Sequence, residues 1–210
     1  PSAFWDRLAD RYAAQPFADP AAFEVKLAAT QRLMHGDMDV FEFGCGTGSI
    51  ALRHAPHVRH IRAIDFSTRM VEIARAKAEK AGISNVSFEK GGIESVNLAP
   101  ESLDMVMAHS VLHLLEDKRA AIAKSYAALK PGGFFVTSTA CMAEILPVIR
   151  FVAPLGKLVG LMPHLDVMTG LQLRTAIEEA GFAIQHQWQP SKKAALFIIA
   201  RKPERMALAR

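Results

Sequence analysis

Apolar residues along this chain come in two rhythms. Blocks of alternating or continuous bulky residues at 39–43, 61–65, 86–89, 102–108, 134–139, 182–187 and 194–200 have the length and period of strands. Residues 49–54, 71–81, 118–129 and 169–180 instead read as helices packed on one side. Local signals mark the ends: Gly82 and Gly181 stop two of these helices, Thr169 caps the last, and Lys130-Pro131-Gly132-Gly133 makes a turn that releases the chain into the strand at 134–139. Strands alternating with helices predict an α/β fold with a largely parallel sheet. Ahead of the first strand, residues 4–12 carry apolar and aromatic positions at helical spacing and read as a short lid helix, with Phe4 and Trp5 packing on the core edge. Asp19-Pro20 then opens a second helix, whose Phe23, Leu27 and Leu33 turn toward one face and cover the sheet.

The candidate chemistry is concentrated where the first strand ends. Val40-Phe41-Glu42-Phe43 runs straight into Gly44-Cys45-Gly46-Thr47-Gly48-Ser49. Three glycines at spacing two allow a tight turn and a close approach of backbone to ligand, and the helix behind them presents N–H groups that lack intrahelical partners. The dinucleotide fingerprint Gly-x-Gly-x-x-Gly needs a glycine where Ser49 stands, and no Gly-x-x-x-x-Gly-Lys-Ser/Thr sequence occurs anywhere in the chain. Glu42, beside the turn, would repel a pyrophosphate and attract an ammonium group. Seventeen residues beyond Gly48, Asp65 closes the second strand. A carboxylate there can accept hydrogen bonds from the vicinal hydroxyls of a ribose, or cap the helix that begins near Ser67.

At these residues the chain resembles the class I S-adenosylmethionine-dependent methyltransferases, whose first motif reads acidic-x-Gly-x-Gly-x-Gly at the end of the first strand; the resemblance covers nearly all of the chain. It implies a Rossmann-like, doubly wound, mostly parallel seven-stranded sheet with a terminal antiparallel hairpin and a helical cap. It also implies one domain over 1–210, with an N-terminal lid over about 1–35 and a cap insertion over about 141–169. The cofactor would be S-adenosylmethionine and the product S-adenosylhomocysteine. Gly44, Cys45 and Gly46 would hold the methionyl part and Glu42 its amino group, Asp65 would hold the ribose, Phe66 and Met70 would flank adenine, and Tyr12 would close over the cofactor. The family's acidic residue after the third strand aligns with Gly92. Adenine would therefore be read by backbone near Gly92 and Ile93, or by Glu94. His109 and His113 follow the fourth strand, where methyl and acceptor would meet. Both are candidates for acid/base or substrate-orienting roles, with packing or contact at the cofactor's edge as the alternative.

The remaining features narrow the reading. At 210 residues, half of them hydrophobic and 22% charged, the chain has the size and composition of one folded domain. The net charge of +4 permits an anionic partner, but basic and acidic residues are interspersed, and the Asn/Asp-Pro-Pro-Tyr/Phe sequence of base-amine methylation is missing; no nucleic-acid partner is expected. Cys45 and Cys141 lack metal-ligand spacing, and with no apolar leader or membrane-length run a cytoplasmic protein is expected. His54, His57 and His60 are three apart, but Pro56 interrupts any shared helix, so they read as exposed or partly packed side chains and no metal is expected. Residues 141–169 are crowded with Ile, Leu, Val and Met and divided by three prolines. Such a stretch can cap the site and line an apolar acceptor pocket, or simply pack into the core; Arg150 and Lys157 leave peripheral membrane contact open. Together these point to transfer of a methyl group to a small apolar or amphipathic acceptor. The Phe4-Trp5 opening with Ala9 and Tyr12 resembles lipoquinone and phospholipid-type methyltransferases. A non-catalytic S-adenosylmethionine-binding regulator and a nicotinamide-dependent oxidoreductase are the alternatives.

Overall fold

The computed structural model describes residues 2–16, 18–146 and 164–205. Two helices, α1 (Ser2–Ala14) and α2 (Pro20–Gln31), precede the alternating units β1 (Asp39–Phe43), α3 (Ser49–His54), β2 (His60–Asp65), α4 (Thr68–Lys80), β3 (Val86–Lys90), β4 (Leu103–His109), α5 (Lys118–Ala128) and β5 (Leu129–Thr139). A short α6 (Met142–Ile145), then α7 (Gly170–Glu179), β6 (Ala183–Trp188) and β7 (Leu196–Arg201) complete the described chain. The strands form one sheet in the order β3-β2-β1-β4-β5-β7-β6, in which β7 alone runs opposite to the other six. The chain reverses direction across the sheet beside β1, and ligands in open α/β sheets sit at such a point, outside the carboxyl ends of the strands.

Strand alternation sorts the core into two layers. From β1, Phe41 and Phe43 join Val106 and Ala108 of β4 under α5 and α7, which contribute Ile122, Leu173 and Ile177. Val40, with Met105 and Met107, faces the opposite layer, where Ala29 of α2, Ala51 of α3 and Val71 and Ala74 of α4 pack. Helix ends follow the sequence signals. Asp19 Oδ1 accepts from the Ala22 N–H at 2.9 Å, and Thr169 and Gln172 form a reciprocal capping box. Asp117 caps α5 through the Ala120 N–H.

Helix α1 lies on α4, where Ala9 is fully buried and polar side chains bridge the two helices. Asp6 Oδ1 accepts from Ser67 Oγ at 2.6 Å and from the Arg69 N–H at 3.1 Å, and the Arg69 guanidinium donates to Asp10 at 2.7 Å. Phe4 and Trp5, half-buried, meet edge to face at 5.3 Å.

Two sequence expectations are corrected. Lys130-Pro131-Gly132-Gly133 is a bulge inside β5 rather than a turn before it: the five-residue step from Leu129 to Phe134 is matched by a two-residue step from Leu103 to Met105. Gly133 and Lys202 keep the segment in the sheet through a 2.9 Å backbone bond. His54, expected to be exposed or partly packed, is buried in α3, because the α3 face that carries Ala51 also carries His54. The apolar segment expected to form the cap lies, over 147–163, outside the described residues.

Gly48 shows how tightly the β1–α3 turn is packed. Its φ is +73°, and a Cβ there would stand 2.7 Å from Phe88 Cζ and 2.9 Å from Ala74 Cβ. Gly48→Ala is expected to lose about 1–3 kcal/mol in urea unfolding, while Gly91→Ala, where a Cβ meets nothing within 4 Å, serves as the neutral control.

Candidate functional site

The turn after β1 is built from alternating left-handed glycines: Gly44 has φ +67° and Gly46 φ +53°. Side chains would be strained at both, and at Gly44 a Cβ would also stand 2.5 Å from Val111 Cγ2. Val111 reaches that position because Ser110, with φ +55° and its N–H donating to the Ser138 carbonyl at 2.8 Å, turns the chain sharply after β4. Over Gly46, the position of a Cβ lies 3.7 Å from Tyr12 Cε1, so the end of α1 stands above the turn while Tyr12 remains 50% exposed. Cys45 is buried, with its N–H donating to the Ile64 carbonyl at 3.0 Å and tying the turn to β2.

Two carboxylates face this turn. Glu42 is 1% exposed, and its Oε2 has no hydrogen-bond partner among the described residues. Burial, with Asp65 adding to it, pushes its carboxyl up to about 8. Asp65 is also buried. Its Oδ2 accepts from the Gly46 N–H and its Oδ1 from the Ser67 N–H, both at 2.9 Å, and desolvation outweighs these bonds to raise its titration. The hydroxyl of Tyr12 is raised by partial desolvation and by the fields of Asp65 and Glu42. Ser67 caps α4 through the Met70 N–H at 3.2 Å, so Asp65 braces the cap instead of forming it.

The next residues gather on the β2 and β3 side. Phe66 is half-buried and Met70 buried at the start of α4. The Ile93 side chain packs in the core beneath α5, and its carbonyl accepts from Lys124 Nζ at 2.8 Å. Gly92 lacks a side chain, and the space a Cβ would fill is taken by another group: Glu94 Oε2 lies 2.5 Å from that point. A carboxylate therefore sits at position 92 although the sequence puts glycine there.

The histidines separate. His109, at the end of β4, and His54 of α3 belong to one group; burial lowers them to about 4 and about 3, and a ring nitrogen of each is buried without a partner among the described residues. His113 lies apart, beside Asp166, lowered to about 4 by burial despite that carboxylate, and its carbonyl accepts from the Asp166 N–H at 2.8 Å. His57 is exposed and His60 opens β2, and among the described residues no three His, Cys, Asp or Glu stand together as metal ligands. Shallow cavities of about 270 Å³, near Asp104 and Lys130, and about 350 Å³, near Arg174 and Gln187, lie away from the turn and include neither carboxylate.

Sequence reasoning missed Val111, Ser138 and Lys26. Lys26 Nζ donates to Ser138 Oγ at 2.9 Å. A signal for Lys26 was present: Ala22, Lys26, Ala29 and Thr30 follow helical spacing, so a lysine stands on the inner face of α2.

A seven-stranded sheet of this order, with an acidic residue and a glycine turn ending β1 and a second carboxylate ending β2, has the architecture of a Rossmann-like methyltransferase. The sequence pattern of the methyltransferase domain family matches residues 34–181, and the chain belongs to that family, with the class I S-adenosylmethionine-dependent fold. The methyltransferase YcgJ of Bacillus subtilis is 32% identical over 97 residues, 46% of this chain and 38% of that protein. A demethylmenaquinone methyltransferase of Leptospira interrogans is 33% identical over 105 residues, 48% of this chain and 42% of that protein. The chain thus spans less than half the length of these curated relatives. The crystal structure of an S-adenosylmethionine-dependent methyltransferase from Mesorhizobium loti shares the fold with a TM-score of 0.71 at 22% identity, covering 87% of this chain and 99% of that one.

Glu42 makes the stability of the free protein pH-dependent. Its folded-state titration is raised, so the folded state holds a proton that the unfolded chain releases. Glu42's contribution is therefore most favourable below the ordinary carboxylate value of 4.5 and is lost as pH rises toward about 8. Glu42→Gln, which cannot ionise, is expected to be more stable than the parent at pH 8 by on the order of a few kcal/mol, with a smaller gain at pH 5. Urea unfolding at the two pH values measures the difference.

Proposed function

We propose that this chain binds S-adenosylmethionine across the Gly44–Gly46 turn and transfers its methyl group to a small apolar or amphipathic acceptor. The observation that carries the reading is Glu42, a buried carboxylate whose Oε2 lacks a partner beside the glycine turn. An ammonium group supplies the missing charge, while a pyrophosphate would place like charge against both Glu42 and Asp65. This disfavours the nicotinamide reading.

The other residues follow in order. Each Asp65 oxygen accepts one backbone N–H and retains a second acceptor direction for a ribose hydroxyl. Phe66 and Met70 supply the apolar surroundings of adenine, and the Glu94 carboxylate at the Gly92 position supplies an acceptor for its amino group. Tyr12, carried by α1, closes over the turn and narrows the access of water. The cofactor's chemistry is an electrophilic methyl on a positively charged sulfur, which already has a good leaving group. What remains for the protein is alignment of the acceptor atom, worth several kcal/mol of barrier when the geometry is held. The acceptor named for the Leptospira relative supports an apolar molecule here, as does the run of Ile, Leu and Val between 145 and 162 in the sequence.

Calorimetric titration with S-adenosylmethionine, S-adenosylhomocysteine and NADH tests the assignment. The first two are expected to bind selectively, with Asp65→Ala weakening both by on the order of tenfold or more. Because the ammonium would draw Glu42 into its ionised form, binding at pH 7 is expected to release a proton, seen as heats that change with the buffer's ionisation enthalpy, and Glu42→Gln is expected to remove that release. Selective NADH binding overturns the reading. Formation of S-adenosylhomocysteine only when an acceptor is added separates a transferase from a regulator that merely binds the cofactor.

A further inference from the structure

On the sheet face that carries Glu42, the register places further polar residues over β4 and β5. Glu42 pairs with Met107, and Met107 with Val136; one pleat higher, His109 pairs with Ser138. Strands are about 4.8 Å apart, so the β5 group stands about 10 Å across the sheet from Glu42, toward the carboxyl ends. Lys26 descends onto this group from α2. Its neighbours on the inner face, Ala22, Ala29 and Thr30, are small and leave the four-carbon stem room to reach Ser138, 112 residues away in sequence.

The pairing there is incomplete. Lys26 meets a neutral hydroxyl at 2.9 Å, and no carboxylate forms an ion pair with it among the described residues; Asp19 acts on it only as a more distant charge. Desolvation lowers the Lys26 amine, and Lys26 in turn helps to keep His109 neutral. His109 Nε2 is buried and unpartnered among the described residues. A partly desolvated cation beside a neutral ring nitrogen is complementary to an oxygen that carries negative charge, and it repels a protonated amine.

We propose that Lys26, Ser138 and His109 form the acceptor side of the site, and that the acceptor is an O–H acid, a phenol or an enol, held as its oxyanion by the Lys26 ammonium. This rests on the methyltransferase reading above and names the substrate class for it. The hydroxyl proton leaves to solvent as the acceptor binds. Ser138 holds the lysine in place, and the His109 ring N–H is a second donor to the same oxygen. An oxygen lone pair then forms the bond to the methyl carbon while the carbon–sulfur bond breaks and its electron pair stays on sulfur, leaving a neutral ether and a neutral thioether.

4-Nitrophenol is a direct probe, because its phenolate absorbs in the visible and its neutral form does not. With the protein loaded with S-adenosylhomocysteine, saturable binding is expected to bring up the phenolate band at a pH below the free probe's midpoint. Lys26→Met is expected to remove that band and to weaken probe binding on the order of tenfold, with S-adenosylhomocysteine affinity unchanged within about twofold; Lys26→Arg, which keeps the charge, is expected to retain the band. Binding of the probe as neutral phenol, or no saturable binding to the loaded parent, overturns the proposal without reference to any variant. So does a Lys26→Met protein that keeps the band, or one that loses tenfold in S-adenosylhomocysteine affinity, which would assign Lys26 to the cofactor's own carboxylate. Failure of the parent to bind S-adenosylhomocysteine at all removes the methyltransferase reading itself, a result distinct from the others.

Discussion

A carboxylate left without a charge partner at the end of the central strand is the constraint on which the rest of this structure depends. Glu42 occupies a position in β1 where alternation demands an inward side chain, with strands on both sides and helices over the face. An ion there is expensive, and the nearest carboxylate, Asp65, makes it more so. The fold tolerates Glu42 because burial raises its titration, so the side chain can hold a proton. In the proposed reading an ammonium group relieves this cost, which an anionic ligand would raise.

The carboxyl ends of the strands are polarised as a result. Acidic groups gather over β1 and β2, joined by Glu94 beyond β3, whereas Lys26 and the neutral imidazole of His109 stand over β4 and β5. In the proposed reading, this polarity distinguishes by charge the two ends of a molecule lying across the strand ends. The Gly44 turn, with Val111 packed against it, fixes the floor between the two halves.

What was legible in the sequence was local. The β1 strand, the Gly44–Gly48 turn, the Asp19 and Thr169 caps and the Gly82 and Gly181 stops each depend on residues within a few positions of one another, so pattern alone located them. The Pro131-Gly132-Gly133 segment misled for the converse reason. Its residues favour a turn, but distant partners on β4 and β7 hold it as a bulged strand. His54 departs from expectation because Pro56 suggests a connection, whereas the packing of α3 buries His54 two positions before that proline. Lys26 and Ser138 meet only through the fold, so no window of sequence contains both. Glu94, two positions from Gly92, is an alternative that the sequence offers, and only the folded loop brings its carboxylate into the missing side chain's space.

The attachment of α1 differs in kind from the attachment of the other helices. Ala9 is fully buried, but no residue of α1 joins either large apolar cluster, and its polar contacts with α4 run through Asp6 and Asp10 to Ser67 and Arg69. Of these, the exposed Asp10–Arg69 ion pair is weakened by salt, whereas the packing beneath the sheet is indifferent to it. The helix that carries Tyr12 is therefore joined to the rest of the molecule through a few polar side chains as well as the buried Ala9, and not through either face of the sheet. The structure is in this sense two materials: a sheet sealed by hydrocarbon on both faces, and a helix fastened beside it by directional polar bonds.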